Sequence, residues 1–457
     1  MRLAVAQTPG RRLDDWQETW DSIADLLARA AGQRADLVVL PECVWPAYDL
    51  TSKRAYFAAR EAGLPGPDAF RARLAQLARQ HHISICAGYV AEEGDRLANA
   101  AVLLDQDGRV LGVHRKCFLW DFDHDYFEPG QTIRPVEAPF GRVGVMVCAD
   151  ARLPEIPATL AARGATLMLQ PTAWVNAGTP AQRWNPQPDF LIAARAAEFG
   201  VPIASASKWG VEGPTTFVGS SLICDANGRI LVQAEPAETT VLVADVELAQ
   251  PRRPVLTAAE RTVLLSAGAV DRPRRDVSPL TMLLAPVQTT ETDIAAHLHA
   301  CGLADQPVLV LQKPPEAQAR RATRPSPRHA ILTGLAEFPV ELSGVRVSVL
   351  TAEDARRFAG VRCAALGGAH LVVAWGLGAT LPLLPARACE NRIFVVSADA
   401  QGATVFDPRG VLLAELAWPL TLSAAPSVAL DVRAAADKLV APRTDVIGGR
   451  RPAQYDF

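Results

Sequence analysis

Cys148 stands where an apolar run ends and a helix is expected to begin, which is a position that suits a nucleophilic thiol. The run 143–147 is rich in β-branched residues and predicts a strand. Pro154 and Glu155 follow it, and both residue types favour the first turn of a helix. A thiol near a helix N-terminus ionises more easily, and the thiolate is the reactive form. The pattern therefore predicts an activated cysteine at this corner.

Two further side chains that could join such chemistry follow predicted strands. Glu42 comes after the apolar run 37–41, and Lys116 comes after the strand-like run 110–115. Besides the thiol, amide hydrolysis needs a base and a cation or donor for the oxyanion. Side chains at strand ends in an α/β layer converge on one rim, so we expect the three residues to meet. Taken singly, each has a plain alternative: a buried structural thiol, a solvated loop acid and a surface cation.

The segments that position these residues alternate between strands and helices. Short apolar runs recur through residues 1–250, and segments with helical spacing, such as 14–31 and 69–80, separate them. This alternation is typical of an α/β domain. The stretch 251–290 is charged and contains several prolines, which predicts a connector, and the α/β texture resumes over 291–457. We therefore expect two domains joined by a connector.

The second domain resembles a degenerate repeat of the first. The segment 345–356 repeats the pattern around Cys148 and places Leu350 at the corner. Three more matches follow in the same order, ending with Asp407 opposite Asp225. Ordered matches indicate an internal repeat, with chance similarity between alanine-rich α/β segments as the alternative. The repeat predicts a second copy that has lost loops and the thiol.

Composition excludes several classes of function. The 46 Lys and Arg residues balance 49 Asp and Glu residues, so no basic surface for nucleic acid is expected. No apolar run has the length of a membrane span, and the N-terminal run is too short for a signal peptide. The eight scattered cysteines are typical of reduced thiols, and the sequence has neither zinc-ligand spacing nor a phosphate-binding glycine loop. We expect a cytoplasmic protein that acts on a small molecule without a metal or another cofactor.

In this order and with these flanking residues, Glu42, Lys116 and Cys148 resemble the catalytic triad of the nitrilase, or carbon–nitrogen hydrolase, superfamily. The resemblance spans residues 1–250 and implies an α-β-β-α sandwich. It also implies that Glu42 is the general base, Lys116 the oxyanion cation and Cys148 the nucleophile. The matching blocks are 35–43, 114–119, 144–155, 195–198 and 219–225.

One position departs from the family pattern. Many relatives carry a second glutamate shortly before a Phe-x-Pro-Gly segment, whereas this chain has Asp123 at the matching place before the segment 127–130. Aspartate keeps the charge but is one methylene shorter. Asp123 therefore either still reaches the region of Lys116 or falls short of it, and Glu128 is more simply explained as a loop acid.

The residues that follow the thiol bear on the substrate. Cys148 is followed by Ala-Asp-Ala-Arg, where true nitrilases usually show Trp-Glu, so the resemblance favours the amidase and N-carbamoyl amide hydrolase branches. The implied substrates are a small linear amide or carbamoyl compound and water. Tyr48, Trp120 and Trp174 are candidates for the wall of the substrate pocket, with core packing as the alternative for each.

The resemblance also implies an assembly. Relatives commonly pair two sandwiches face to face, so residues 291–457 are expected to form a shortened sandwich that lacks the nucleophile and docks as an internal pseudo-dimer. A further homo-oligomer is left open. The competing hypothesis is that both halves are non-catalytic binding or scaffolding modules. Asp123 supports that hypothesis, and the intact Glu42, Lys116 and Cys148 oppose it.

Overall fold

The chain forms two compact units. The first comprises Met1–Pro254, Ala441–Thr444 and Gly449–Phe457, and the second comprises Val255–Val440 and Asp445–Gly448. The computed structural model describes residues 1–268, 270–287, 289–312, 322–326, 328–332, 339–376 and 383–457. Parts of the predicted second copy lie outside the described residues, namely 313–321, 327, 333–338 and 377–382. Across the described ranges, every helix is too short or too polar to traverse a lipid bilayer. No disulfide joins any of the eight cysteines, all of which lie in those ranges.

Strands and helices alternate along the first unit, as the apolar periodicity predicts. Its helices are α1 (Trp16–Gly32), α2 (Lys53–Glu61), α3 (Pro67–His81), α4 (Asp123–Tyr126), α5 (Glu155–Ala162) and α6 (Ile192–Phe199). Its strands are β1 (Arg2–Pro9), β2 (Leu37–Val39), β3 (Ser84–Glu93), β4 (Arg96–Leu104), β5 (Val110–Arg115), β6 (Val136–Ala138), β7 (Gly141–Val145), β8 (Leu167–Pro171), β9 (Ile203–Ala206), β10 (Lys208–Glu212), β11 (Thr215–Val218), β12 (Leu222–Cys224), β13 (Ile230–Gln233) and β14 (Thr240–Asp245).

Two sheets form the centre of the first unit. One has the order β11-β10-β1-β2-β3-β4-β5, with β14 also paired to β1, and the other has the order β13-β12-β9-β8-β7-β6. Strands β1, β2 and β3 contact β8 and β9, so the sheets pack face to face. Helices α1 and α3 contact the first sheet, and α5 and α6 contact the second. The layers therefore run helix, sheet, sheet, helix, as the family resemblance implies.

Central strands of this unit are buried on both faces. Residues 3–6 of β1 and 37–39 of β2 have no exposed surface, which explains why they read as continuous apolar runs. The loops that leave β2 and β5 carry Glu42 and Lys116, and the one that leaves β7 carries Cys148. Strand ends of both sheets thus supply the three residues that the sequence singled out.

The second unit has its own pair of sheets, with the orders β17-β18-β16-β15-β25 and β19-β20-β21-β22-β23-β24. Its helices are α7 (Ala258–Leu265), α8 (Glu291–Ala300), α9 (Ala352–Arg356), α10 (Phe358–Leu366) and α11 (Leu383–Asn391). Its strands are β15 (Leu280–Ala285), β16 (Val308–Gln312), β17 (Ala322–Ser326), β18 (His329–Leu332), β19 (Val340–Leu342), β20 (Val345–Thr351), β21 (Leu371–Trp375), β22 (Phe394–Ala398), β23 (Gly402–Phe406), β24 (Leu412–Ala417) and β25 (Ser427–Leu430). The short strands β26 (Leu439–Ala441) and β27 (Thr444–Asp445) follow.

The six-stranded sheets of the two units share strand order, orientation and register. In each, an antiparallel pair is followed by two parallel pairs and two antiparallel pairs. The corresponding register pairs are Val136–Val143 and Val143–Leu167 in the first unit, and Val340–Val347 and Val347–Leu371 in the second.

This register corrects one detail of the predicted repeat. Cys148 lies five residues after Val143, and the same distance after Val347 leads to Ala352. Ala352, and not Leu350, therefore occupies the corner that corresponds to Cys148. The sequence match did not show this correspondence. Strand β20 runs two residues beyond the equivalent end of β7, and the similar letters of the two segments were therefore aligned two residues out of register.

The division into units differs from the predicted boundaries in two places. The predicted connector 251–290 contains α7 and β15, and β15 is paired with β16 on one side and β25 on the other. The apolar run of β15 therefore belongs to a central strand, although charged and proline-bearing stretches precede it. Residues 441–444 and 449–457 belong to the first unit and not to the predicted second domain.

Candidate active site

Glu42, Lys116 and Asp123 meet in one buried cluster. Lys116 Nζ donates to Glu42 Oε1 at 2.7 Å and lies 2.6 Å from Asp123 Oδ2. All three side chains are completely buried. Lys116 Nζ also donates to the Tyr48 hydroxyl oxygen at 3.3 Å. Two carboxylates and a phenol thus share a single buried cation.

Glu42 lies in the loop that follows β2, and hydrogen bonds with neighbouring segments hold it in place. Its backbone N–H donates to the Thr172 carbonyl at 3.2 Å, and the Asn99 side chain on β4 donates to Glu42 Oε1 at 2.7 Å. Gly88 on β3 passes so close that a Cβ there would stand 2.5 Å from Glu42 Cα. Glycine at this position therefore leaves room for the backbone that carries the acid.

Lys116 follows β5 and is fixed through its backbone. Its N–H donates to the Asn99 carbonyl at 2.8 Å, and its own carbonyl accepts from the N–H of Gly130 at 2.8 Å. A Cβ on Gly130 would collide with the Arg115 carbonyl. The glycine that ends the Phe-Glu-Pro-Gly segment therefore fixes the backbone of Lys116 through this hydrogen bond.

Asp123 lies in α4, a helical turn of four residues. Its Oδ2 accepts from the backbone N–H of Trp120 at 2.8 Å and faces Lys116. The shorter aspartate therefore reaches the lysine, which decides between the two alternatives that the sequence left. Glu128 is exposed and lies 3.6 Å from Arg96, so it lies outside the cluster.

Cys148 begins a 3₁₀ turn, Cys148–Arg152, and its φ of +45° lies in the left-handed region. This conformation costs a residue other than glycine roughly 1–2 kcal/mol. The Cys148 carbonyl accepts from Gln170 Nε2 at 2.8 Å, and Gln170 Oε1 accepts from Ser205 Oγ at 2.7 Å. The C=O and N–H of a trans peptide point in opposite directions, so the N–H of Ala149 is directed away from Gln170.

Burial governs the ionisation of these groups. It raises the pKa of Cys148 to about 12, the charge of Glu42 adds to the rise, and Lys116 opposes it. Burial likewise raises the pKa of Glu42 above its ordinary value, although Lys116 acts in the opposite direction. For Lys116, burial alone would lower the pKa, but Asp123 and Glu42 outweigh it and raise that pKa well above its ordinary value. The resting site therefore holds a neutral thiol and a charged lysine.

The prediction of an easily ionised thiol is wrong for this resting site. Helix α5 begins at Glu155, seven residues after Cys148, and the field of a helix end falls off within about one turn. Desolvation of the buried thiolate is the larger effect and acts in the opposite direction. The cysteine therefore needs a base to take its proton.

Two oxygens of the cluster have no hydrogen-bond partner among the described residues. They are Glu42 Oε2 and Asp123 Oδ1, and both are buried. Buried acceptors without a partner are costly and uncommon in native proteins. These oxygens are therefore placed to accept a proton or a hydrogen bond from a molecule that enters the site.

Asp150, which the sequence analysis did not single out, ties the cysteine corner to the lysine segment. Its Oδ1 accepts from the N–H groups of Cys117 at 3.0 Å and Phe118 at 2.8 Å. Its Oδ2 accepts from the N–H of Val147 at 2.9 Å and lies 2.9 Å from His114 Nε2. Its place inside the nucleophile block was the one available signal, because a sequence does not show which distant backbone lies opposite.

His114, Cys117 and Asp150 also form a group whose ligand atoms lie within 4.8 Å of one another. Both oxygens of Asp150 already accept hydrogen bonds from backbone N–H groups, and one also lies beside the histidine ring. A metal ion would have to replace these contacts. Internal bracing of the site is therefore the better explanation of the group.

The three aromatic candidates have different surroundings. Tyr48 lies in the lysine cluster described above. Trp120 faces Arg152, whose guanidinium carbon is 4.9 Å from the ring centroid. Trp174 is completely buried, and its backbone N–H donates to Ser207 Oγ at 3.2 Å. The structure therefore brings Tyr48 to the lysine, whereas a place in the wall of the substrate pocket stays a prediction for Trp120 and Trp174.

Comparison with known proteins gives the class to which this fold belongs. A family model described as carbon-nitrogen hydrolase matches residues 2–253. The chain belongs to this family and hence to the nitrilase superfamily, which confirms the resemblance found in the sequence.

Individual relatives show how far the similarity extends. A nitrilase of Pyrococcus abyssi is 32% identical over 224 residues, which cover 49% of this chain and 81% of that protein. An omega-amidase of Mus musculus is 30% identical over 235 residues, which cover 49% of this chain and 80% of that protein. Among solved structures, an amidase from Nesterenkonia sp. AN1 is 31% identical with a TM-score of 0.47, and the match covers 54% of this chain and 93% of that one.

Proposed function

We propose that the first unit is a thiol-dependent amidohydrolase that cleaves the C–N bond of a small linear amide or N-carbamoyl compound through an acyl-enzyme on Cys148. The observation that carries the proposal is the buried lysine held between Glu42 and Asp123, each of which keeps an unpartnered oxygen among the described residues. Membership of the carbon–nitrogen hydrolase family and similarity to an omega-amidase support it.

The first step of the proposed reaction forms the acyl-enzyme. Cys148 Sγ attacks the amide carbonyl carbon, and the thiol proton passes to Glu42 Oε2. A thiol with a pKa of about 12 needs a base in the same step, and the raised pKa of Glu42 suits that task at neutral pH. The tetrahedral intermediate then loses the amine, which takes the proton from Glu42 as the C–N bond breaks.

The negative charge that develops on the carbonyl oxygen needs fixed donors. Lys116 Nζ supplies one, and Asp123 helps to keep that lysine charged. The N–H of Ala149 supplies another, because Gln170 holds the carbonyl of the same peptide group on the opposite side. Donors of this kind commonly lower a barrier by about 3 kcal/mol each in a buried site.

Hydrolysis of the acyl-enzyme reuses the same groups. Water attacks the thioester carbon and gives a proton to Glu42. The second tetrahedral intermediate collapses to the carboxylic acid, and the proton returns to Cys148 Sγ as the C–S bond breaks. Glu42 thus acts as base and then as acid in each half of the reaction.

We further propose that the second unit is a shortened, catalytically degenerate copy of the first. The shared register of the six-stranded sheets supports this, and so does an equivalent buried contact. Arg195 Nε donates to the Ala151 carbonyl at 3.1 Å, and Arg387 Nε donates to the Ala355 carbonyl at 3.3 Å. Ala352 at the corner offers no nucleophile. The internal pseudo-dimer and the cytoplasmic location stay predictions.

The proposed activity is tested with purified full-length protein, Cys148→Ala and Glu42→Gln on a panel of small amides, N-carbamoyl compounds and the matching nitriles. We expect the wild type to release ammonia or amine, and both variants to lose turnover by at least about 100-fold. Turnover that survives Cys148→Ala contradicts the nucleophile assignment, and turnover of nitriles alone contradicts the amide specificity. Stoichiometric labelling of Cys148 by an electrophile without any turnover favours the competing binding-module hypothesis.

A further inference from the structure

The last residues of the chain belong to the first unit, although they follow the second unit in sequence. We call residues 441–444 and 449–457 the C-terminal strap. Its residues contact the segments that carry Asp123 and Cys148. One of these contacts joins the buried residues Arg450 and Glu155, which lie 295 positions apart in the sequence. The match to the family model ends at residue 253, so it does not cover the strap.

One set of strap contacts holds the turn that carries Asp123. Arg443 donates to both carboxylate oxygens of Asp125, at 2.7 and 2.9 Å. Thr444 is buried, and its Oγ1 accepts from the N–H of Asp121 at 2.7 Å. Asp121 and Asp125 each lie two residues from Asp123, so the strap holds the turn on both sides of that acid.

The turn needs such contacts because it is weak by itself. Helix α4 has four residues, and a helix this short is not stable in isolation. Asp121 has a φ of +23°, a value in the left-handed region that favours glycine. Backbone of this kind keeps its shape where surrounding contacts determine it. Tyr126 supplies one contact by donating to Asp49 Oδ1 at 3.1 Å, and the strap supplies the others described here.

A second set of contacts anchors the strap beside the cysteine segment. Arg450 Nε donates to Glu155 Oε1 at 2.8 Å, and the side chains are 3% and 0% exposed. Glu155 is the first residue of α5. Removing one partner of a buried pair is far more disruptive than removing one partner of an exposed pair such as Arg443–Asp125. The buried pair therefore fixes the strap in place.

The strap also touches the support of the lysine. Gln454 Nε2 donates to the Gly130 carbonyl at 3.2 Å, and the N–H of the same glycine donates to the Lys116 carbonyl. Residues of the strap thus reach the backbone that carries the lysine as well as the turn that carries its acidic partner. These contacts converge on the Asp123–Lys116 pair.

We infer that the C-terminal strap positions Asp123, and through it Lys116, for the reaction of the first unit, with Arg443 and Thr444 as positioning residues. The inference rests on the proposed amidohydrolase function and deepens it, because it makes a segment beyond the second unit part of the working site. Both residues act through the ends of the turn and touch no reacting atom.

The test uses the full-length chain with Thr444→Val, Arg443→Ala and the conservative Arg443→Lys. Arg433→Ala is the matched control, because Arg433 is a similarly exposed arginine, paired with Asp431 at 2.6 Å in the second unit. Four quantities are measured: kcat, KM, the pH dependence of kcat, and amide hydrogen exchange of the segment 120–130. Thermal unfolding reports the folded fraction.

We expect Thr444→Val to lower kcat about tenfold and Arg443→Ala, which breaks an exposed pair, to lower it about threefold. KM should change less than about twofold in both, because a misplaced charge acts on the transition state more than on substrate binding. Exchange in the segment 120–130 rises about fivefold as the turn opens. Arg443→Lys recovers part of the lost kcat, since lysine keeps the charge without the paired geometry. The control stays at wild-type values.

The pH dependence separates positioning from a general loss of structure. Lys116 faces Glu42, Asp123, Tyr48 and Cys148, and the two carboxylates raise its pKa. Displacement of Asp123 removes part of that stabilisation of the charged lysine. The alkaline limb of the kcat profile therefore moves to lower pH in Thr444→Val and Arg443→Ala, which a merely smaller folded fraction does not produce.

Three results overturn the inference. One is wild-type kcat and an unmoved alkaline limb in Thr444→Val and Arg443→Ala. Another is a loss of kcat that equals the loss of folded protein, and the third is faster exchange in the segment 120–130 with unchanged kcat. If the wild type hydrolyses none of the panel, the proposed function fails, whereas hydrogen exchange still decides whether the strap holds the turn.

Discussion

The cysteine corner of the first unit and the corresponding corner of the second differ in backbone, although their sheets share a register. Cys148 has a φ of +45° and starts a 3₁₀ turn. In the second unit, β20 continues to Thr351, whose side chain accepts from the N–H of Asp354 and caps the regular helix α9. Ala352 is then the first residue of an ordinary helix.

This difference distinguishes the features that both units share from the backbone conformation found at Cys148. Strand register and the arginine contacts with the Ala151 and Ala355 carbonyls are common to both units. Positive φ values occur at Cys148 and at Cys43, which directly follows Glu42, and Ala352 has none. Such backbone costs free energy and persists where tertiary contacts enforce it. Of the two corresponding corners, the left-handed residue is therefore present beside the thiol and absent at Ala352.

The largest expected effect concerns a thiol placed at the second corner. In a Cys148→Ala background, we expect Ala352→Cys to leave amide turnover at least about a thousandfold below wild type, because the new thiol would begin a regular helix without the left-handed turn. Ammonia release and intact-mass detection of an acyl adduct provide the measurement. Recovery of turnover would show that the shared scaffold alone suffices for the chemistry.

A smaller effect distinguishes two aspartates at matching positions. Asp150 braces the lysine segment, whereas Asp354 bonds with Thr351 and Arg357. We expect Asp150→Ala to lower kcat about 100-fold and the free energy of unfolding by about 3 kcal/mol, because buried N–H groups lose their acceptor. Asp354→Ala should leave kcat within about twofold of wild type. Steady-state kinetics and urea unfolding measure both, and equal losses of kcat would contradict the distinction.

Gln170 offers a more selective test of the first corner. Gln170 is the register partner of Ser205 in the neighbouring strand, and at the matching place in the second unit Ala374 is the register partner of Ser397. Gln170→Ala therefore gives the first corner the residue that the second unit has at this place. We expect kcat to fall about tenfold, because the peptide that presents the oxyanion donor is no longer held. Alkylation of Cys148 by iodoacetamide should stay within about twofold, since displacement at a saturated carbon forms no oxyanion.

The control for this change is Gln170→Met, which fills the volume without a donor and should behave like the alanine variant. Alkylation and turnover that fall together would mean that the thiol itself has moved. In that case the Gln170 side chain would stabilise the left-handed backbone of Cys148 and would not act by orienting the oxyanion donor.

The smallest expected effect is a shift in pH dependence. Burial raises the pKa of Glu42, and the hydrogen bond from Asn99 lowers it in part. A base works when deprotonated, so kcat/KM falls as pH drops through this raised pKa. Asn99→Ala removes the lowering contact, and the acid limb should move to higher pH, with kcat at the optimum changed less than about threefold. A limb that stays in place or moves to lower pH would contradict Glu42 as the base.

Local patterns explain why so much of the first unit could be predicted. Apolar runs such as 37–39 and the corner at Cys148 are signals carried by consecutive residues, because buried strands need uninterrupted apolar side chains. The blocks around Glu42 and Lys116 are also runs of consecutive residues, so they could be found without any knowledge of packing. The match to the family model confirmed the family that they indicated. The second unit was harder, since β15 lies inside a stretch flanked by prolines and charges.

Other features depend on residues far apart in the chain. The role of Asp150 as a brace requires the backbone at 117–118 to lie opposite it. The correspondence of Ala352 with Cys148 appears in strand register and not in the best-matching letters. Neither relation leaves a periodic or local mark, so sequence reasoning had no access to it.

By itself, the sequence determined the class of fold of the first unit, its family, and the three strand ends that carry Glu42, Lys116 and Cys148, because periodicity and motifs are properties of neighbouring residues. Only the tertiary structure decided that Asp123 reaches Lys116, that the thiol is neutral at rest, and that the C-terminal strap belongs to the first unit. Reach, desolvation and the docking of a distant segment all depend on how the chain packs in three dimensions.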